Sequence, residues 1–491
     1  MRISLPAVTL WLLPIAGFAG PWIDPGDIGL RNDIQLLADA GVIGSPVTQW
    51  PLSWGDILAT DVVQPEDLPA AEAAALERVQ RLARRARRTG EWQPGVRLAL
   101  GSDGRALRDF SATPREPLET ELELEWTGDR TAIRLRGQFV GGADDKGPND
   151  DQKWRADGSY AGLSLGNWML AAAMTDRWWG PGWQSSLILS SNARPIPAFT
   201  IDRNSTAPFE TKWLHWLGHW DFTALWGFLE SDRDIPDARF FGLRATLRPA
   251  RFLEFGLSRT AMWCGSGRPC GFDTFKDLLL GRDNAGQNVS VHDEPGNQLG
   301  GYDIRLTTAQ WGIPLALYTQ RIGEDEQNLR PALFLNLVGI EAWGSLGNLG
   351  NLRGYLELAD TLCGGNLTND GPPNCAYDHP VYSTGMRYRN RAIGHTADND
   401  SKIWTLGLLL NDRHDASWAL TLKTGDLNRE GPPDAANTLA PTMRKYRSVD
   451  LLRSQDLGPG SLRLGVDYER MSAADDTDQD WHVYMEWRQQ W

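Results

Sequence analysis

The run Arg177-Trp178-Trp179-Gly180-Pro181-Gly182-Trp183 is the densest stretch of unusual chemistry in the sequence, and Ser190-Ser191-Asn192-Ala193-Arg194-Pro195 and Arg203 follow it closely. Flat indole rings stack on pyranose faces, amides bond hydroxyls, and a guanidinium forks onto a uronate carboxylate. Arg177, Trp178, Trp179, Trp183, Asn192, Arg194 and Arg203 are therefore candidates for polysaccharide recognition. The same residue types also suit a structural reading, with Trp in a membrane-interface belt and Arg in an internal ion pair. The sequence leaves both open.

Catalytic patterns are sparse. His215 and His219 are four apart, a metal-ligating spacing on a helix, but the Glu expected beside the first His is absent. No G-x-S-x-G elbow occurs, and no carboxylate pair stands out as acid and base. The expectation is a non-enzymatic protein with no cofactor and no metal. Four cysteines form two local pairs, Cys264 with Cys270 and Cys363 with Cys375, each enclosing loop-type Gly, Pro or Asn residues. Two local disulfides are the expected pairing, because no C-x-x-C spacing or adjacent His favours zinc.

Composition narrows the class. A formal net charge of −14 argues against generic nucleic-acid binding. The 23 Trp residues suit interface belts and sugar platforms alike. Residues 1–19 read as a secretory signal, with Arg2, an apolar stretch to Phe18, and a small-x-small cleavage site at Gly17-Phe18-Ala19. Beyond residue 20 no apolar stretch reaches the roughly 18 residues that a spanning helix needs.

The elements that must position these groups fall into two regions. Residues 20–92 read as helical: Asp27 to Ala40, a short helix from Trp54 to Ala59, and a long one from about Glu66 to Thr89. The long helix has an apolar stripe of Ala75, Leu76, Val79, Leu82, Ala83 and Ala86. Its other face carries Arg78, Arg81, Arg84, Arg85, Arg87 and Arg88, either solvated or meeting acidic groups on a barrel rim. From residue 93 to 491 the period changes to 2, in roughly 18 segments separated by Gly, Pro, Asn and Asp clusters. Glu121, Glu123 and Glu125 alternate with Leu122, Leu124 and Trp126, and the next segment places Arg134 and Arg136 on the same polar face. A charge network of these five residues suits the lumen of a transmembrane barrel better than a soluble core. Near residue 491 Trp481, Val483, Met485 and Trp487 alternate with polar residues, as in a terminal barrel strand. The fold class is therefore mainly β: a transmembrane antiparallel β-barrel of about 18 strands with an N-terminal α-helical plug. Its long loops include Asp144, Asp145, Asp150 and Asp151.

Several strings together resemble the capsule assembly Wzi family. They are Asp33-Ile34-Gln35-Leu36-Leu37-Ala38-Asp39, Trp50-Pro51-Leu52-Ser53-Trp54, Arg177 to Trp183, Leu187 to Pro195, and Phe255-Gly256-Leu257-Ser258-Arg259. The resemblance covers essentially the whole chain after the signal. It implies an 18-stranded barrel closed near the periplasmic side by helices. It also implies a lectin-like outer-membrane protein that retains capsular or exopolysaccharide at the cell surface. The implied partners are that polymer, outer-membrane lipid and lipopolysaccharide, and the polysaccharide export machinery. A second reading is a porin-like channel for anionic saccharides, with lumen arginines as a selectivity ring. A third is a cell-wall anchor, since residues 27–60 resemble a surface-layer homology repeat.

Overall fold

The computed structural model describes residues 22–58, 63–86, 88–142, 152–279, 296–327, 330–364, 367, 371–429, 437–474 and 476–491. The signal segment, Arg87, the side chain of Arg85, and Asp144, Asp145, Asp150 and Asp151 lie outside the described residues.

Alternation of apolar and polar residues makes a sheet with one greasy and one charged face, and closure leaves it no edge. Eighteen antiparallel strands form that closed ring. The first six are β1 (Trp92–Gly101), β2 (Leu118–Thr127), β3 (Thr131–Gly141), β4 (Trp154–Arg155 continued by Tyr160–Leu165), β5 (Trp168–Ala173) and β6 (Ala198–Arg203). Next come β7 (His219–Phe228), β8 (Arg239–Ala250), β9 (Leu253–Trp263), β10 (Gly296–Thr307), β11 (Leu315–Gln327) and β12 (Arg330–Ser345). The last six are β13 (Gly350–Asp360), β14 (Lys402–Asp412), β15 (Ala416–Leu427), β16 (Arg444–Leu457), β17 (Gly460–Ser472) and β18 (Thr477–Gln490). Pairing of β18 with β1, from Tyr484 opposite Gly101 to Gln490 opposite Gly95, closes the barrel. The chain therefore begins and ends its barrel at one rim, where the turns are short apart from residues 204–218, while the other long loops gather at the opposite rim.

The wall has the polarity expected of a membrane barrel. Leu122, Leu135, Trp481 and Val483 point outward and are exposed, whereas Glu121, Arg134 and His482 are buried on the inner face. A helix, α4 (Phe272–Leu279), follows the Cys264–Cys270 disulfide and lies against the outside of the wall. Its Phe275 packs among Trp226, Phe241 and Trp263, with ring centroids 5.0–5.3 Å apart. Arg259 caps its last turn through the carbonyls of Leu278 and Leu279, at 2.6 and 2.8 Å. The second disulfide joins Cys363 to Cys375.

The N-terminal helices are α1 (Ile28–Asp39), α2 (Trp54–Leu58) and α3 (Ala70–Ala86). Asp27 caps α1 by accepting the Leu30 amide at 2.9 Å. The long helix starts later than its periodicity suggests. Pro65 begins a separate 3₁₀ turn, and α3 forms only after Pro69, whose ring suits the entry to a helix and not its interior. Ala75, Leu76, Val79 and Ala83 are buried, as the stripe requires. Arg78 reaches back to Asp33 on α1 at 2.7 Å, and Arg81 reaches Asp415 in the turn between β14 and β15 at 3.0 Å. Arg84 and Arg88 are exposed. The arginine face is thus divided between partners and solvent.

Candidate functional site

The Trp-rich run lies in the loop between β5 and β6, which dives from the long-loop rim into the lumen. Trp178 and Trp179 pair, strand-like, with Trp50 and Gln49 of the N-terminal region. Gly180 has φ +151°, and a Cβ there would meet the Gln320 side chain at 2.7 Å. A Cβ on Gly182 would sit 3.1 Å from Leu337 and 3.2 Å from Glu357. The glycines are needed because the backbone is pressed against the wall.

At the centre stands Arg31 of α1. Its guanidinium lies 4.3 Å from the Trp183 ring, 4.4 Å from Phe110 and 5.4 Å from Trp178. It donates to the carbonyls of Gly182 and Pro181 at 2.8 and 3.1 Å. Burial lowers its pKa to about 10, which still leaves it charged at neutral pH. A desolvated cation enclosed by three rings is a strong cross-link between helix and loops.

Beside it lies an ionic quartet. Arg305 of β10 grips Asp39 of α1 with two bonds of 2.6 and 2.9 Å, and bonds Glu341 of β12 at 2.8 Å. Arg353 of β13 bonds Glu341 at 2.7 Å and Asn32 of α1 at 2.8 Å, and lies 3.5 Å from Asp39. The Trp183 indole N–H donates to Glu341 at 2.9 Å. All four charged side chains are at most 5% exposed. Two cations and two anions balance, so α1 is bound to the wall without leaving an unpaired buried charge.

The early-strand network takes a related form. Arg136 pairs with Glu121 at 3.0 Å and with Glu123 at closer range. Glu125 accepts the Tyr160 hydroxyl at 2.6 Å, and Arg134 pairs with Asp24 at 2.7 Å. The five residues share the lumen face, but Arg134 and Glu125 are taken by partners outside the set.

Six of the seven candidate sugar residues are buried inside the protein, and Arg203 is half-buried. Trp178, Trp179 and Trp183 are at most 1% exposed, so no ring offers a face to a pyranose. Arg177 pairs with Asp202 at 3.0 Å, and Arg194 pairs with Asp157 at 2.7 Å. Asn192 donates to Ala392 at 2.9 Å and accepts from Thr396 at 3.2 Å. Arg203 stacks 3.5 Å over Trp220 and donates to Trp220 and Ala207 carbonyls, at the short-turn rim. It ends a strand that runs away from the long loops, which places it far from them. In this structure six of these residues are packing and hydrogen-bonding groups of the lumen filling, and Arg203 is one at the rim. His215 and His219 bond Phe209 and Thr206 separately, at 3.0 and 3.3 Å.

Two further loops lock over this filling. Arg115, between β1 and β2, donates to the carbonyls of Asn192, Ser191 and Ala193 at 2.7–2.9 Å. In the loop between β13 and β14, the Tyr377 hydroxyl donates to Leu187 at 2.7 Å, and Arg387 pairs with Asp398 at 2.7 Å. Above them lie the half-buried Arg268, Asp378, His379 and Arg389, with Tyr382 buried beneath. The Arg268 guanidinium is 5.7 Å from the Tyr382 ring, and His379 is 5.8 Å from it. Burial and the Arg268 charge bring the His379 pKa down to about 4, so it is neutral at physiological pH.

A family model described as capsule assembly protein Wzi matches residues 97–482. This chain belongs to the Wzi family. A Klebsiella pneumoniae relative, described as an uncharacterized 55.8 kDa protein in the cps region, is 31% identical over 377 residues, which span 74% of this chain and 70% of that protein. The solved structure of Escherichia coli Wzi is 26% identical and has a TM-score of 0.79. It covers 95% of this chain and 98% of its own, and is described as an outer-membrane protein of group 1 capsule assembly and a carbohydrate-binding β-barrel. The Wzi fold and its outer-membrane setting thus hold for this chain. Sequence reasoning missed Arg31, Arg305, Glu341 and Arg353, the residues that join α1 to the Wzi barrel. Each strand member lies on the polar face of a period-2 segment, so alternation marks it as inward. Nothing local marks the α1 partners of Arg305 and Arg353, 266 and 321 residues away.

Proposed function

We propose that this chain retains capsular or exopolysaccharide at the cell surface, as a non-enzymatic outer-membrane lectin and assembly factor. The observation that carries the reading is the filled lumen. The helices of residues 20–92 act as a plug held by Arg31 and the ionic quartet, so ligand chemistry is left to the outer loops. Family membership and the carbohydrate binding described for the Escherichia coli protein support the same view. The half-buried Arg268, Asp378, His379 and Arg389 of the outer loops offer imidazole, carboxylate and guanidinium groups suited to an acidic polymer. Outer-membrane lipid, lipopolysaccharide and the export machinery are its further expected partners. The test is binding of purified acidic capsular polysaccharide to the full chain in detergent. Arg268→Ala with Arg389→Ala should weaken binding about tenfold while leaving the folded gel mobility unchanged. Binding unaffected by these changes would move the site elsewhere, and no binding to any capsular polymer would refute the function.

A further inference from the structure

Strands β17 and β18 carry a second cluster that the retention role does not use. Asp467 stands directly opposite His482 across the two strands, and Glu469 lies two residues along the same inner face. One ligand-capable atom of each lies within 4.8 Å of the other two, and all three residues are buried. The His482 Nδ1 bonds the Asp103 carbonyl at 2.8 Å. A carbonyl only accepts, so Nδ1 carries the hydrogen. That directs the other nitrogen, Nε2, toward Glu469 Oε2 at 3.3 Å, without hydrogen-bond geometry. Asp467 Oδ2 has no hydrogen-bond partner among the described residues, at 3% exposure.

The surrounding cations are spread thin. Arg105 is shared among Asp109, Asp450 and Asp467 at 3.3, 3.6 and 3.9 Å. Lys423 is spent on Asp450 at 2.7 Å, and Arg391 on the carbonyls of Ala106 and Arg105. Glu469 holds the Ala106 amide at 3.1 Å and the Tyr446 hydroxyl at 2.5 Å, but no Lys or Arg among the described residues. A buried carboxylate oxygen without a partner is costly, and so is an imidazole nitrogen facing carboxylates with nothing between them.

We propose that Asp467, Glu469 and His482 bind a divalent transition-metal cation, with Zn²⁺ the best match. One imidazole nitrogen and two carboxylates suit zinc better than calcium or magnesium, which favour all-oxygen shells. The Asp103 carbonyl on Nδ1 is the outer contact that usually orients a ligating His. Asp103 and Ala106 both belong to the loop between β1 and β2, which also carries Arg115 and Phe110. The metal therefore fastens that loop to the wall at the point where the loop covers the lumen. The site is independent of where the polysaccharide binds.

The competing occupant of the same gap is a proton, which would make His482 a cation paired with Glu469. The experiment separates the two. Untagged full-length protein in detergent is stripped with a chelator and titrated at pH 7.5 with Co²⁺, Zn²⁺ or Ca²⁺, with bound metal measured by mass spectrometry. About one equivalent of Zn²⁺ should be retained after desalting, and Co²⁺ should give visible d–d absorption that Zn²⁺ bleaches. Ca²⁺ should not compete. Asp467→Asn and His482→Gln should each weaken Zn²⁺ binding by about tenfold or more, with unchanged heat-modifiable mobility. The wild-type cobalt spectrum alone decides the matter if a variant fails to fold. Failure of the wild-type protein to retain Zn²⁺ or perturb Co²⁺, or equal binding by folded variants, would overturn the proposal in favour of the proton.

Discussion

Arginines hold the helical region in two contrasting places. In the lumen, Arg305 and Arg353 meet Asp39 and Glu341 with all four side chains at most 5% exposed. At the short-turn rim, Arg81 meets Asp415 with side chains 41% and 38% exposed. The geometry of the pairs is similar, but the solvent is not. Water and salt screen the rim pair, which is worth little. The lumen quartet has already lost its hydration, so each member depends on the others. Charge count along the sequence favours α3 as the sticky element. Burial reverses that ranking and makes α1 the anchor.

The comparison is broken most severely by Glu341→Ala, which leaves Arg305 and Arg353 with one shared carboxylate. We expect a loss of roughly 3–5 kcal/mol, read as a lower temperature for the folded-to-unfolded gel shift. Glu341→Gln should fall between this variant and wild type, because its one amide oxygen keeps an acceptor for only one of the two guanidinium groups. Next in size is the Cys363→Ser, Cys375→Ser pair. Opening that loop should cost about 3 kcal/mol in the chain-entropy model and speed proteolysis between β13 and β14. Arg31→Met should cost about 2 kcal/mol through the lost cation–ring contacts, and should raise quenching of buried Trp fluorescence by iodide. Arg81→Ala should cost under about 1 kcal/mol, and added salt should erase even that. A large effect at Arg81 with a negligible one at Glu341 would invert the comparison.

These rankings explain what the sequence could and could not convey. Barrel architecture is written locally: Leu122 outward and Glu121 inward follow from alternation, and the ring of strands follows from repeating it. The Glu121–Arg136 and Glu123–Arg136 pairs were equally legible, because they join neighbouring strands. Asp39 with Arg305 was not, since the two are 266 residues apart and only closure of the barrel brings them together. The chemistry of the Trp-rich run is legible in the sequence, but its setting is not. Indole and guanidinium groups that could hold a sugar serve equally to bind Arg31 and line a plug, and only burial distinguishes the two. The metal-type cluster was hidden differently. His482 sits in a segment whose apolar partners drew attention to its outward face.

The central claim is that α1 and the infolded loops fill the lumen, so the chain acts at its surface and is not a conduit. Single-channel recording of the intact protein in planar bilayers tests this most directly. Wild-type protein in molar potassium chloride should insert without resolved conductance steps. Stable steps of porin size, blocked by anionic oligosaccharides, would contradict the account and restore the channel reading.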